Sequence, residues 1–387
     1  MKNILFLLSV ITIISCAEKS SVLRIDNDLE ENPAIDQETV NDGPTSPSGV
    51  DNEILDDDGL PMLTFEAQKP QISNGPEYTI DVNEWDIPNN GSNAIKTTAN
   101  LQAAIDWAHG EGFTQVLLPE GNYLVGEDVN DNYQGGIDIF DNTELIFNEG
   151  AVLSIDTNNK WNYCVLRLNG DNIVVRNGVI KGDRETHIFT PRENDGKTNH
   201  DEGHGICVFS NNNVLDDNME LIDLTGDGSL VLESNNVTFT NNNIHNNRRQ
   251  GVSIVGGSNI EVTGNEIHHI SGVTPQFGID IEGQGREDKN ILIQENYFHH
   301  NTGGDIVNAS GSNVYILDNT MEQGEGSKYI DGPIVSWHRT HNIIARNTIT
   351  MVDGSVNGRL GLSLIHISEP TRPRLISYAV FCLKKKK

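Results

Sequence analysis

The sequence predicts an all-β chain wound as a single-stranded parallel β-helix, a solenoid with a capping helix at its N-terminal end. Three observations predict it. Gly205, Gly228 and Gly251 recur 23 residues apart, and over the same offset Asn213-Val214 falls on Asn236-Val237 and Asn259-Ile260. A period in the twenties built from short strands is the signature of stacked β coils. Within each coil, runs such as Val252 to Val255 and Ile260 to Val262 set Ile or Val at every second position, which directs them to one side of a strand. Finally, Asn242, Asn265, Asn296, Asn319 and Asn347 form a column at one repeat position. Asn tolerates left-handed dihedrals and bonds its own backbone, so such a column is expected to mark a stacked turn.

The beginning of the repeating body fits a cap. Thr98 to His109 is amphipathic, with Leu101, Ala104, Ile105 and Ala108 at helical spacing and Gly110 as a stop. A helix there would shield the open edge of the first coil. Tyr78 to Val82, Ala103 to Asp106 and Val116 to Tyr123, taken in that order, resemble the entry segment of the pectate-lyase superfamily, and the later coils are similar to its right-handed β-helix repeat. The resemblance covers 75–361. It implies a right-handed parallel β-helix acting on polysaccharide, and leaves the reaction open, because one fold of this kind hosts several chemistries.

Outside the body, the chain reads as exported. Lys2, the apolar run Ile4 to Ile14 and the small-residue end Ser15-Cys16 make a signal peptide over 1–16. Ile13 to Cys16 resembles a bacterial lipobox, which implies lipidation of Cys16 and an outer-membrane lipoprotein of a Gram-negative bacterium, exposed at the cell surface. Residues 17–74 are expected to be a disordered acidic tether and lead-in: Glu18 to Asp58 carries thirteen acidic residues against Lys19 and Arg24. The last segment, 362–387, resembles translated sequencing adapter, so the β-helix is expected to be truncated near Gly361. Cys164 and Cys207 lie in strand-like runs and read as small apolar side chains, with no paired spacing that suggests a disulfide. A net charge of -30 excludes nucleic acid as a partner, since phosphate would be repelled. The expected partners are a polysaccharide and, through the lipid alone, a membrane; the chain is expected to be a monomer.

Chemistry is expected where polar residues interrupt the strand pattern. The residues around the aligned glycines read Glu202-Gly203-His204-Gly205, Thr225-Gly226-Asp227-Gly228, Arg248-Arg249-Gln250-Gly251 and Gly278-Ile279-Asp280-Ile281-Glu282. With the isoleucines facing in, Asp280 and Glu282 face out together, and Asp227 lies one coil before Gln250. Acids and arginines therefore share one face, with Asp305 and Asp331 as extensions of the row. The catalytic candidates are Asp227, Arg248, Arg249, Asp280 and Glu282. A solvated ion-pair ladder is the competing reading of the same residues. The long excursion Gly182 to Gly203 should overhang the row, which makes Arg184, His187, Glu202, His204 and Gln250 candidates for substrate binding.

The preferred chemistry is β-elimination on a uronate-containing polysaccharide. Arg248 or Arg249 would act as base or carboxylate clamp, and Asp227, Asp280 and Glu282 could hold a calcium ion. The alternatives are a glycoside hydrolase using paired carboxylates and a non-catalytic adhesin. Gly203-His204-Gly205 resembles a triplet of the polygalacturonase hydrolases, but the paired aspartates before it and the Arg-Ile-Lys after it are missing, and Asp216-Asp217 falls in a turn behind it. His245, His268 and His299 follow the Asn column and read as a stack on a turn, not as a metal site.

Overall fold

The computed structural model describes residues 62–72, 75–126, 136–191, 196, 198–324, 329–330, 332–336, 342–351 and 380–385. Over these the chain is a right-handed parallel β-helix. One face is an eight-stranded parallel sheet that includes Asn162–Asn169, Glu202–Phe209, Asp227–Leu232, Gln250–Val255, Phe277–Ile281 and Gly304–Asn308. Each coil then adds two shorter strands, such as Asn235–Thr240 and Asn243–His245, which pair with their counterparts one coil on.

The repeat read from the sequence is the pairing register. Val214 lies opposite Val237, Val237 opposite Ile260, and Leu221 opposite Ile244. Apolar side chains at alternate positions stack into one continuous interior column that runs from Val116 to Ile349. The helix Ala94–Gly110 covers its first rung with Leu101, Ala104, Ile105 and Ala108, all buried. It starts earlier than Thr98 because Asn93 caps it, its side chain accepting from the Lys96 N–H.

The Asn column is a turn ladder, but its residues are not the left-handed ones. The positive φ belongs to the preceding position: Asn241, Gly264, Glu295, Asp318 and Arg346. That residue turns the corner and points the next side chain inward. There Asn265 Oδ1 accepts from the Asn242 N–H at 2.9 Å, Asn296 Oδ1 from the Asn265 N–H at 2.9 Å, and Asn319 Oδ1 from the Asn296 N–H at 3.0 Å. Each Nδ2 donates to a strand carbonyl, as Asn265 does to Phe239 O at 3.0 Å. The ladder thus satisfies backbone groups that a buried corner would leave unpaired.

Two expectations are corrected. Cys164 and Cys207 form a disulfide with Cα atoms 6.0 Å apart. Their separation of 43 residues carried no hint of it, because neighbouring strands of a solenoid are a whole coil apart in sequence. Here the excursion of 182–203 lengthens that coil, and Cys164 comes to lie opposite His204, three residues before Cys207. Closing a loop of this length constrains the unfolded chain, so Cys164→Ala with Cys207→Ala is expected to lower stability by about 3–4 kcal/mol in denaturant unfolding. A loss under about 1 kcal/mol would show that the stacked coils already supply the constraint.

The second correction concerns the lead-in. Its described part, 62–72, is laid along the solenoid. The Ala67 N–H donates to Glu261 Oε1 at 2.8 Å, Gln68 N–H to Asn236 Oδ1 at 3.2 Å and Gln71 N–H to Asn172 Oδ1 at 3.3 Å. The segment therefore crosses successive coils in reverse order. Phe65 packs edge-on against Tyr315, and Ala67 is buried. The acidic composition of 17–74 as a whole masks these few apolar positions. The signal peptide, Cys16, the tether up to residue 61, Asp331, and 362–379 with 386–387 lie outside the described residues. Val380–Lys385 pairs in parallel with Asn342–Met351. An open solenoid end offers unpaired backbone groups with which a short β-prone segment can pair.

Candidate functional site

The residues around the glycines meet on the eight-stranded sheet. Asp227 opens its strand and lies opposite Gln250, and Ser253 lies opposite Asp280. Ile279 and Ile281 are fully buried in the interior, which sends Asp280 and Glu282 to the outer face. Arg249 joins the row: its Nη1 donates to Asp227 Oδ2 at 3.0 Å and its Nη2 to Glu282 Oε1 at 2.8 Å. Ser253 Oγ donates to Asp227 Oδ2 at 2.8 Å, and Gln250 Nε2 to Asp280 Oδ2 at 2.9 Å. Asp227, Arg249 and Glu282 are thus one hydrogen-bonded group spanning three coils, and Asp280, held separately by Gln250, lies on the same face.

The row is far less open than an outward ladder suggests. Asp227 is 0% and Asp280 4% exposed, while the Glu282 side chain keeps 22%. Burial raises the Asp227 carboxyl against the pull of Arg249 and Ser253. Asp280 is pushed well above the ordinary carboxylate range, first by burial and then by the negative charge of Glu282. The site therefore sets a carboxyl pushed above its ordinary range two residues from an ion-paired carboxylate on the same strand face.

A calcium ion does not fit among Asp227, Asp280 and Glu282. The Arg249 guanidinium already bridges two of these carboxylates, and a cation placed between them would meet a fixed positive charge. The same contacts remove Arg249 as a base: both neighbouring carboxylates hold its proton more firmly than in water. Arg248 is not in the row. Its Nη1 donates to the Asn199 and His200 carbonyls, and its guanidinium lies 4.5 Å from the centre of the Phe189 ring. It anchors the excursion.

That excursion is held by a buried hydrogen-bond chain. Asp183 Oδ1 accepts from Tyr163 Oη at 2.7 Å, and its Oδ2 lies 2.8 Å from His187 Nδ1. His187 Nε2 lies 2.9 Å from His200 Nδ1, and His200 Nε2 donates to Thr190 O at 2.6 Å. Arg184 Nη1 donates to Asn246 O at 2.5 Å and its Nη2 to Ser271 Oγ at 3.3 Å. His187 and Arg184 thus fasten the loop to the coils and do not present themselves to a ligand. His204 is buried behind Asp227, its Nδ1 accepting from the Asp227 N–H at 3.2 Å, and burial with the nearby Arg249 charge depresses it to about 3. Gln250 is spent on Asp280. Glu202 opens the strand Glu202–Phe209, half-buried opposite Asn162. Arg192 and Lys197 lie outside the described residues.

Asp305 does not extend the row. The register sets Val307, not Asp305, opposite Asp280. Asp305 instead turns to Asn301 and Tyr329 at the corner, where burial raises its carboxyl to about 7. Asp216 is not in a turn but within the strand Asn212–Asp217, in register with Val175 and Phe239 of the interior column. Ser253 was the one member of the row not singled out from the sequence. Its signal is a hydroxyl at an outward strand position one coil before Asp280, legible only once the register is known. The histidine stack is present: the rings of His245 and His268 lie 4.7 Å apart and those of His268 and His299 4.4 Å apart, nearly parallel.

Known proteins share the fold. A family model described as a right handed beta helix region matches residues 128–287 and 230–356. The uncharacterized protein YclG of Bacillus subtilis is 27% identical over 284 residues, covering 66% of this chain and 48% of its own length. The SPbeta prophage-derived uncharacterized protein YorA of the same organism is 34% identical over 157 residues, 39% of this chain and 26% of that protein. The chain therefore spans half or less of the curated relatives it matches. Among solved structures, a hyperthermoactive exopolygalacturonase from Thermotoga maritima superposes with a TM-score of 0.51 at 14% identity, over 74% of this chain and 83% of that one.

Proposed function

Because this chain belongs to the family of right-handed β-helix regions, we propose that it is a polysaccharide-degrading enzyme that cleaves glycosidic bonds by hydrolysis, with Asp280 as the acid and Glu282 as its partner carboxylate. One observation carries the choice of hydrolysis over β-elimination: Arg249 is bound on both sides by Asp227 and Glu282, so it can serve neither as base nor as clamp for a uronate. Hydrolysis needs a protonated carboxyl to give its proton to the leaving oxygen and a second carboxylate to act on the opposite side of the ring. Burial and the charge of Glu282 favour the protonated form of Asp280. Glu282 is the partner that solvent reaches, and Arg249 orients it while tying it to Asp227. The shared solenoid of an enzyme named exopolygalacturonase supports an acidic polysaccharide as the class to test first.

The disulfide supports an oxidising compartment and so agrees with export by 1–16. Lipid anchoring at Cys16 and display on an outer membrane complete the proposal.

The test is a panel of polysaccharides, with and without chelator. New reducing ends without ultraviolet absorbance of an unsaturated sugar are expected, unchanged by chelator. Asp280→Asn is expected to lower the rate by about 10²–10⁴-fold with an unchanged circular dichroism spectrum. Unsaturated product would establish elimination and overturn the assignment. Binding without any product would make the chain a glycan-binding solenoid.

A further inference from the structure

The histidine stack is not a single column. His269 and His300 follow His268 and His299 in the chain, and both adopt positive φ, of 55° and 57°. That conformation turns their rings back beside the first column. His269 and His300 stack with ring centres 4.6 Å apart, parallel to the stack of His268 and His299. Four imidazoles from two adjacent coils thus make a two-by-two array at a solvent-facing corner, with His269 exposed and the other three half-buried.

The nitrogens within this array face one another. His268 Nδ1 lies 2.6 Å from His269 Nδ1, and His299 Nδ1 lies 2.8 Å from His300 Nδ1. Two ring nitrogens at such separations repel unless a proton or a cation lies between them. Stacking alone would not require the contact. The outer nitrogens are already assigned. His299 Nε2 lies 3.0 Å from Glu266 Oε1; a carboxylate can only accept, so this nitrogen carries the hydrogen and Nδ1 carries the lone pair. His268 Nε2 is likewise engaged, 3.0 Å from Asn243 Oδ1. A carboxylate or amide oxygen holding the far side of a ring is the usual outer support of a histidine that ligates metal.

We propose that His268, His269 and His299 bind a late first-row divalent transition ion, of the zinc and copper class, across two coils. One nitrogen of each lies within 4.8 Å of the other two. Imidazole nitrogen suits such ions, whereas calcium and magnesium demand oxygen ligands. Three histidines leave a coordination position open to water or to a further ligand. His300, against the Nδ1 of His299, is placed to replace one of the three or to add a fourth.

The sequence reasoning that set metal aside counted one column. It missed the second because the residue after each strand end is read as a turn, and nothing marks its ring as folding back. The preceding coil shows what the position holds without this cluster: Asn246 occupies it with φ 56°.

The test uses the tag-free full chain and zinc ion alone, measured by calorimetry. One zinc ion per chain is expected. His269→Asn, which copies Asn246 and keeps the backbone, should weaken binding by about 100-fold or more. Glu266→Ala should weaken it by about 10-fold, through loss of the outer hydrogen bond. Copper loading should give a paramagnetic resonance spectrum with several equatorial nitrogens, simplified in His299→Gln. No binding by the unaltered chain, or affinity unchanged in both His269→Asn and His299→Gln, would overturn the site. Because binding is read directly, the outcome is independent of whether the carboxylate row hydrolyses sugar.

Discussion

Replacing Arg249 by methionine is expected to destabilise the coils around it by about 3–5 kcal/mol at neutral pH, the scale of leaving buried charges without their partner. From the sequence, Arg249 is a candidate base or carboxylate clamp. The structure makes it the cation shared by Asp227 and Glu282, beside a third acid, Asp280. Its removal leaves Asp227 and Glu282 without their shared cation, and the fully buried Asp227 can relieve the cost by taking a proton. Asp227 is already raised by burial and is held down mainly by Arg249, so it should rise further. The sign follows from linkage. A carboxyl whose folded pKa exceeds its unfolded value is stabilising below the unfolded pKa, and that contribution is lost as pH rises through the folded pKa. The variant should therefore be weakest at neutral pH and approach the unaltered chain on acidification toward about pH 4. Hydrogen exchange of Asp227–Leu232 and Gln250–Val255, followed from pH 7.5 to 4.5, reads this locally. A deficit that does not shrink with acid would mean that packing, not charge, is what Arg249 supplies.

The opposite change is expected at Asp216. Asp216→Leu should stabilise the solenoid by about 2 kcal/mol or more. Asp216 is fully buried, and among the described residues neither of its carboxylate oxygens has a hydrogen-bond partner. Its register neighbours in the adjoining coils are Val175 and Phe239. Leucine has the same branching, so the exchange removes an unsatisfied polar group with little change of shape. Burial first, and the charge of Asp217 second, raise the Asp216 carboxyl well above its ordinary value. Burial thus favours the protonated form in the folded chain, whereas the unfolded chain releases that proton at neutral pH. Unaltered protein should thus gain stability as pH falls from neutral toward about 4, and Asp216→Leu should lose that part of the slope. Denaturant unfolding of both chains across this range provides the measurement. If the variant is less stable at every pH, Asp216 has a function in the core that its lack of partners hides.

These two residues show where reading the chain succeeds and where it stops. The 23-residue offset of Gly205, Gly228 and Gly251 became the strand register, because each coil must repeat the apolar positions of its neighbour to keep one interior column. The same offset brought Asp227 beside Gln250, and the period of two turned Asp280 and Glu282 outward. These are properties of a chain in which sequence distance maps onto neighbouring coils, and the sequence by itself determined them. It could not say what covers an outward face. Whether Asp280 is solvated or buried, whether Arg249 is free or doubly bound, and whether His187 meets a ligand or fastens a loop depend on side chains from other coils and from the excursion of 182–203. The same holds for the Cys164–Cys207 disulfide, the path of 62–72 along the turns, and the second histidine column. Each rests on contacts between residues with no common period, which only the folded chain brings within reach.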